Sequence, residues 1–323
     1  MSGEYWLGRV EGSLGDEVAG PSYQLTPPIF FIRNSVARLL ERVVGRLGER
    51  GYFPKIGLEV EFYASGVDNF ESFASMVNDF AGSAGIDYDG TSVEIGVNQF
   101  EIGLRPYRNI NKLIGDSESL KSFLRESRYG VSFDTMPFYD QARSALQINV
   151  TLNDAEGNNL FARGPADEES RIMLNSIAGL LGTTNGFLPL YIKSEEDLLA
   201  YDHEFNEVIF ARKRNPAPTY NSWGMNNRSC SIRIPTSKNF YSESDYRLDS
   251  LLNRRIEFRV AASDCDLSCA MFGVLYGILY GIRNDMEPPP PTSNNVLRHH
   301  EGYSRIFIDN NLWDILESDI FND

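Results

Sequence analysis

Arg254-Arg255-Ile256-Glu257-Phe258-Arg259-Val260 is the stretch whose reading decides the fold. As a strand it alternates with period two. Arg255, Glu257 and Arg259 share one face; Ile256, Phe258 and Val260 share the other. The apolar face suits packing beneath helices. The opposite face sets two cations around one carboxylate over about 13 Å of strand. So dense a charged face cannot enter a core without partners, because an unpaired buried charge is very costly. Taken alone, it fits an exposed sheet face with ordinary ion pairs. It also has the residue types that hold phosphates and a metal.

Other segments repeat the pattern. Ile56-Gly57-Leu58-Glu59-Val60-Glu61-Phe62-Tyr63 puts Glu59 and Glu61 on one face and Leu58, Val60 and Phe62 on the other. Two carboxylates about 6.6 Å apart along a strand repel unless a cation sits beside them. Hard divalent cations take such oxygen ligands. Ser92 to Leu104 reads as two short strands around Gly96 and Asn98, and adds Glu94 and Glu101. Ser144 to Leu152 sets Gln147 and Asn149 against Ile148 and Val150. Ser229 to Pro235 is a further strand, with Arg228 and Arg233 at its ends, and Leu248 to Val260 leads into the opening stretch. Between the strands, periodicity predicts helices at Ile29–Gly51, Asn69–Ser83, Ile110–Arg128, Glu168–Leu181 and Leu267–Ile282, the last capped by Asp266 or Asp264. Asp87–Gly90 and Asp154–Gly157 read as turns, Val131–Phe133 as a strand, Ser194–Ala200 as a short helix and Ala211–Trp223 as a Pro- and Arg-rich loop.

The chain has 323 residues, 42% of them hydrophobic, enough for one large α+β domain or two modest ones. A net charge of -15 argues against a general nucleic-acid or anionic-membrane partner. The three cysteines, Cys230, Cys265 and Cys269, lack zinc spacing and read as reduced thiols of a cytoplasmic protein. Cys265 and Cys269 are four apart on a predicted helix and read as core. No signal peptide is evident, and no apolar run reaches membrane-spanning length. His203, His299 and His300 read as surface residues, and Tyr220 and Trp223 as loop packing. The expected division is a leader and helix over 1–55, a catalytic domain over 56–283, and a Pro-rich linker and tail over 284–323.

The polar faces together hold Glu59, Glu61, Glu94, Glu101, Glu257 and Gln147, with Arg228, Arg233, Arg255 and Arg259 on the same faces or their ends. Five carboxylates inside one sheet are untenable without cations. Two or three divalent ions would neutralise them and leave the arginines for phosphate oxygens. Phosphoryl transfer needs that combination. No Walker loop or Rossmann glycine fingerprint is present, so a nucleotide would lie on the sheet itself.

The segments IGLEVEFYA, EIGVNQFE, SALQINVTLNDAEGNNLFA, NNRSCSIRIP and RRIEFRVAASDCDLSCA resemble, in order, the motifs of the glutamine synthetase catalytic domain. The resemblance covers roughly residues 56–283. It implies an α+β fold of the glutamine synthetase/guanido kinase type, with a curved, mainly antiparallel sheet flanked by helices. It implies ATP and Mg²⁺ or Mn²⁺ as cofactors. By motif, Glu61, Glu94 and Glu101 resemble the ligands of one metal; Glu59, Glu257 and Gln147 resemble those of a second. Arg228, Arg233, Arg255 and Asn149 resemble nucleotide-binding residues, and Arg228, Arg255 and Arg259 catalytic ones. The implied reaction activates a carboxylate, the γ-carboxylate of glutamate, as an acyl phosphate that an amine then attacks. Small-molecule acid and amine substrates and a homo-oligomer follow from the same resemblance.

Several positions depart from the family pattern. Gln147 stands in place of a His, and Asn149 in place of a frequent second His; a Gln carbonyl can still serve Mg²⁺. This QxN pattern resembles glutamate–cysteine ligases. Pro216, in Arg214-Asn215-Pro216-Ala217-Pro218, takes the place of a flap Glu that helps bind and deprotonate ammonium. Ala142-Arg143 replaces the Asn-Gly of the glutamate-binding loop, and Leu252 replaces a Lys. With residues 1–55 ahead of the first motif, the N-terminal β-grasp domain is expected to be absent or much reduced. These departures favour an amine larger than ammonia. The alternatives are a degenerate paralogue that binds nucleotide or glutamate and regulates a partner, and a guanidino-kinase-type phosphotransferase.

Overall fold

A long central strand, β1 (Phe53–Ser65), organises the molecule. The structure is a computed structural model; it describes residues 27–212, 217–236, 251–309 and Leu316. Seven more strands join β1 in one sheet: β2 (Tyr88–Val93), β3 (Gln99–Tyr107), β4 (Gly130–Ser132), β5 (Leu146–Asn153), β6 (Trp223–Met225), β7 (Ile232–Ile234) and β8 (Ile256–Phe258). Their order is β2-β3-β1-β5-β8-β7-β6, with β4 on the C-terminal end of β1. All pairs are antiparallel except β6 with β7.

One face of this sheet is apolar throughout. Leu58, Val60 and Phe62 of β1, Ile102 and Leu104 of β3, Ile148 and Val150 of β5, and Ile256 and Phe258 of β8 all lie in a single buried core. Helices cover it: α1 (Pro27–Gly48), α2 (Phe70–Ala84), α3 (Ile110–Glu126), α4 (Arg171–Tyr191) and α6 (Leu267–Arg283). Side chains accept from the free amides at several helix starts: Asn69, Asn109, Ser170 and Asp266 cap α2, α3, α4 and α6. Helices α4 and α6 are buried nearly all round and cross closely at glycines. Cys230, Cys265 and Cys269 are free thiols in the interior. Among the described residues, no helix is long and apolar enough to cross a membrane.

Several local expectations need correction. Asp87–Gly90 is not a free turn: Tyr88 starts β2, and an irregularity between Tyr88 and Gly90 carries it along β3. Helix α4 runs ten residues past Leu181, because its last turns are apolar on every side and Pro189 falls near its end. A helix α5 (His203–Ala211), capped by Asp202, was not expected. The strand into the opening stretch is only Ile256–Phe258, and Leu251–Asn253 are helical. Residues 284–309 fold back on the sheet edge: Trp223 Nε1 donates to the Pro289 carbonyl at 2.6 Å, and the Ile306 amide to that of Thr219 at 2.9 Å. His203 and His300 are half-buried against Tyr220, His203 edge-on with ring centroids 5.8 Å apart and His300 stacked at 4.7 Å. Residues 1–26, 213–216, 248–250, 310–315 and 317–323, on which parts of the sequence reading fall, lie outside the described residues.

Candidate active site

Strand register gathers the polar residues. Across β1 and β3, Glu61 pairs with Glu101; across β1 and β5, Glu59 pairs with Gln147; Asn149 of β5 pairs with Glu257 of β8, which pairs with Arg233 of β7. Directly opposed residues have Cβ atoms about 5 Å apart, so the ladder sets these side chains in one diagonal band across the polar face. Glu94 lies off the ladder, on the loop from β2 to β3. That loop is tight: Gly96 N donates to Gln99 Oε1 at 2.9 Å, and a Cβ on Gly96 would lie 2.3 Å from the Tyr63 hydroxyl. Only glycine fits there, and it brings Glu94 over the strands. One carboxylate oxygen from each of Glu61, Glu94 and Glu101 lies within 4.8 Å of the others.

The band is closely bonded. Gln147 Nε2 donates to Glu61 Oε1 at 3.1 Å and approaches Glu101 Oε2 at 3.5 Å, while its Oε1 accepts from Arg259 Nη1 at 2.8 Å. As a metal ligand through oxygen, Gln147 would have to turn its amide over. Arg259 Nη1 also meets Glu257 Oε1 at 2.5 Å, and Arg233 Nη1 meets Glu257 Oε2 at 2.8 Å. Asn149 donates to Glu59 Oε1 at 3.0 Å and accepts from Arg255 Nε at 2.8 Å. The Nε atoms of Arg233 and Arg259 are buried without a partner. Arg228 is exposed at the rim.

Crowding and burial push the acids up. Burial, with the neighbouring charge of Glu94, raises the Glu61 carboxyl to about 7. Burial together with Glu59, Glu61, Glu94 and Glu257 raises Glu101 to about 9. Glu59 is raised as well, first by burial and then by Glu257. Burial lowers the Arg233 pKa. Such a donor set fits a hard divalent cation: it is all oxygen, anionic and convergent. A cation there would restore the carboxylates to their charged form.

Two openings meet the band. A small hollow of about 40 Å³ lies at the Glu61–Glu94 end, lined also by Ile95, Gln147, Ala217, Pro218 and Arg259 and open to solvent. A wider cleft of about 690 Å³ lies at the Glu59 end, lined by Lys55, Asn149, Asn158, Leu252 and Arg255 among others. Sequence reasoning missed one member, Gln99, and gave Arg143 only as a replacement in the glutamate-binding loop. Gln99, two residues before Glu101 and so on the same face, bonds the Glu94 loop and approaches Glu61 Oε2 at 3.4 Å; strand period alone could have found it. The role of the Arg143 side chain had no such signal, because it precedes β5.

A family model described as the catalytic domain of glutamine synthetase matches residues 64–306. The chain belongs to the glutamine synthetase family. It is 24% identical over 283 residues to the γ-glutamylputrescine synthetase of Escherichia coli K12, covering 77% of this chain and 55% of that protein. It is 23% identical over 287 residues to the glutamine synthetase of Thermotoga maritima, covering 80% and 59%. A crystal structure described as a novel glutamine synthase homolog superposes with a TM-score of 0.66 at 17% identity, over 88% of this chain and 65% of that one. The chain thus spans little more than half the length of these curated relatives. The fold is the glutamine synthetase one, an open, mainly antiparallel sheet with helices. Glu59 and Glu61 precede the matched segment, yet β1 pairs with β3 and β5 inside it, which puts both glutamates in the same band.

Proposed function

We propose that the protein is an ATP-dependent ligase that joins a carboxylate, the γ-carboxylate of glutamate, to an amine larger than ammonia. The observation that carries this reading is the convergence of Glu59, Glu61, Glu94, Glu101 and Glu257 on one face, ringed by Arg228, Arg233, Arg255 and Arg259. Glu61, Glu94 and Glu101 would hold one Mg²⁺ or Mn²⁺, and Glu59 and Glu257, with Gln147 turned over, a second. Those ions would supply charge neutralisation for the phosphate oxygens of ATP.

The wider cleft, with Arg255 and Asn149 at its floor, takes the nucleotide. The smaller hollow, with Arg228 and Arg259, takes the acid and the amine. An acid oxygen attacks the γ-phosphorus, the bond to the ADP oxygen breaks, and an acyl phosphate forms. The arginine donors stabilise the phosphoryl oxygens as charge redistributes. The amine nitrogen then attacks the acyl carbon, phosphate leaves, and the nitrogen loses its proton. The hollow has apolar walls at Ile95, Ala145, Ala217 and Pro218, which suit the carbon body of an amine. An amine substrate of that kind is named for the Escherichia coli relative.

The test is ADP release from ATP, Mg²⁺ and glutamate over a panel that runs from ammonia to diamines and amino alcohols, with mass detection of the amide. Amide formed faster with an alkylamine than with ammonia is the expected result. ADP release with no member of the panel overturns the reading. Tight binding of an ATP analogue and Mn²⁺ without turnover would favour a regulatory paralogue instead.

A further inference from the structure

Arg143 is 6% exposed, and its described hydrogen bonds run to main-chain oxygens rather than to carboxylates. Its Nη2 donates to the Arg259 carbonyl at 2.5 Å and its Nη1 to the Val260 carbonyl at 3.2 Å. The guanidinium lies 5.0 Å from the centre of the Tyr201 ring, whose hydroxyl donates to the same Val260 oxygen at 2.5 Å. Burying a guanidinium is expensive; Arg143 borders the hollow and the Glu61 charge, yet its described hydrogen bonds go to two neutral carbonyls of one segment, which it thereby holds in place. A planar fork suits two neighbouring acceptors in a way that a point charge cannot.

The segment it grips is the one that leaves β8 and carries Arg259. Arg259 has its Nη1 engaged by Gln147 and Glu257, and its Nε buried without a partner. The same segment is tied further on. Lys121, 2% exposed, donates to the Ser263 carbonyl at 2.8 Å, and Ser263 Oγ donates to the Glu61 carbonyl at 2.5 Å. The carbonyl of Arg143 itself accepts from Gln99 Nε2 at 3.0 Å, and Gln99 holds the Glu94 loop. Arg143 therefore brackets the carboxylate end of the site to the arginine end.

We propose that Arg143 is a positioning residue: it fixes the Arg259–Val260 main chain so that the open edge of the Arg259 guanidinium faces the hollow. Its effect on turnover rests on the ligase reading; its effect on the segment does not. Arg143→Gln and Arg143→Lys, each with Mn²⁺ bound, test both. Hydrogen exchange of the Arg259 and Ala262 amides, which donate to the Ser231 and Tyr191 carbonyls, is expected to speed up by about tenfold in R143Q and less in R143K, with β1 and β3 unchanged. In the same variants kcat is expected to fall by about a hundredfold in R143Q, with partial recovery in R143K and the KM for ATP within about twofold. Unchanged exchange in this segment overturns the proposal whatever the rates do. A raised KM for the acid at constant kcat also overturns it, because it would mean direct substrate contact. If the unsubstituted protein turns over no acid–amine pair, the ligase reading falls, and the exchange measurement alone decides the role of Arg143. R143K keeps the charge and volume, and so keeps the test alive if R143Q does not fold.

Discussion

Glu101 lies opposite Glu61 on the ladder and within reach of Glu94, and it bears the largest burden of like charge in the site. Without a cation its carboxyl is pushed up to about 9 and that of Glu61 to about 7, both above the unfolded range near 4.3. Between about pH 4.5 and the folded values, the folded chain keeps protons that the unfolded chain has released. The slope of stability with pH is therefore negative across that window. For Glu61 alone the loss amounts to about 4 kcal/mol once pH exceeds the folded value. The metal-free protein should accordingly melt at steadily lower temperature from pH 5.5 to pH 9, and saturating Mn²⁺ should remove most of that slope; a flat metal-free profile in scanning calorimetry contradicts it. Glu101→Gln removes one of the crowded acids. It should raise the melting temperature of the metal-free protein at pH 8 by a few degrees and weaken Mn²⁺ binding by tenfold or more. Titration calorimetry in buffers of different ionisation enthalpy should find that Mn²⁺ binding at pH 7.5 releases about one proton from the original protein, and fewer from the variant.

Among the elements, the crossing of α4 and α6 is the least forgiving. A Cβ on Gly179 would sit 2.1 Å from the Gly277 carbonyl oxygen and 2.5 Å from the Gly281 nitrogen, both backbone atoms that cannot swing aside. In an open helix Gly→Ala stabilises by about 1 kcal/mol; here overpacking should reverse the sign. Gly179→Ala is expected to lose about 1–3 kcal/mol of stability, read as a lower denaturant midpoint, whereas the same change at Gly182, where a Cβ would meet only the flexible Met286 side chain at 3.3 Å, should be far milder. Elements of this kind were only partly legible in the sequence. Period two exposed the polar face of β1, β5 and β8, because one buried face forces strict alternation. Period 3.6 exposed α2, α3 and α6. The extent of α4 was not legible, because a helix apolar on all sides has no stripe to mark its end. Helix α5 was hidden by its brevity, and β2 by turn-forming residues that tertiary pairing with β3 overrode. In the site, Glu59, Glu61, Glu101, Gln147, Asn149 and Glu257 were readable as one face. Their mutual register was not, since it depends on which strands pair.

At the scale of the whole molecule, the site has two supports that come from distant parts of the chain. Four of the five carboxylates stand on β1, β3 and β8, backed by the main core, and Glu94 stands on the loop from β2 to β3. The Ala217–Pro218 wall of the hollow leads within two residues into a separate small cluster, where Val296, 0% exposed, packs with Tyr220 and Cys230. The returning C-terminal segment holds that cluster through Thr292 to Trp223, Ile306 to Thr219, and an ion pair of Arg298 with Glu207 at 2.6 Å. Because the apolar contacts of the small cluster are separate from those of the main core, the two should fail separately. Val296→Asp places an unpaired charge in the small cluster, where neither Tyr220 nor Cys230 supplies a cation, and burial of such a charge is strongly unfavourable. The returning segment should then loosen while the main sheet stays folded. With Trp6 and Trp313 changed to Phe, Trp223 becomes the single reporter, and its emission should shift to the red as the indole, 3% exposed in the intact protein, meets water. Mn²⁺ affinity should hold within about twofold, since the Glu61–Glu94–Glu101 group does not depend on that wall, while the KM for the amine rises. An Mn²⁺ affinity that collapses in step with the Trp223 shift would show instead that the sheet and its returning segment stand or fall as one unit.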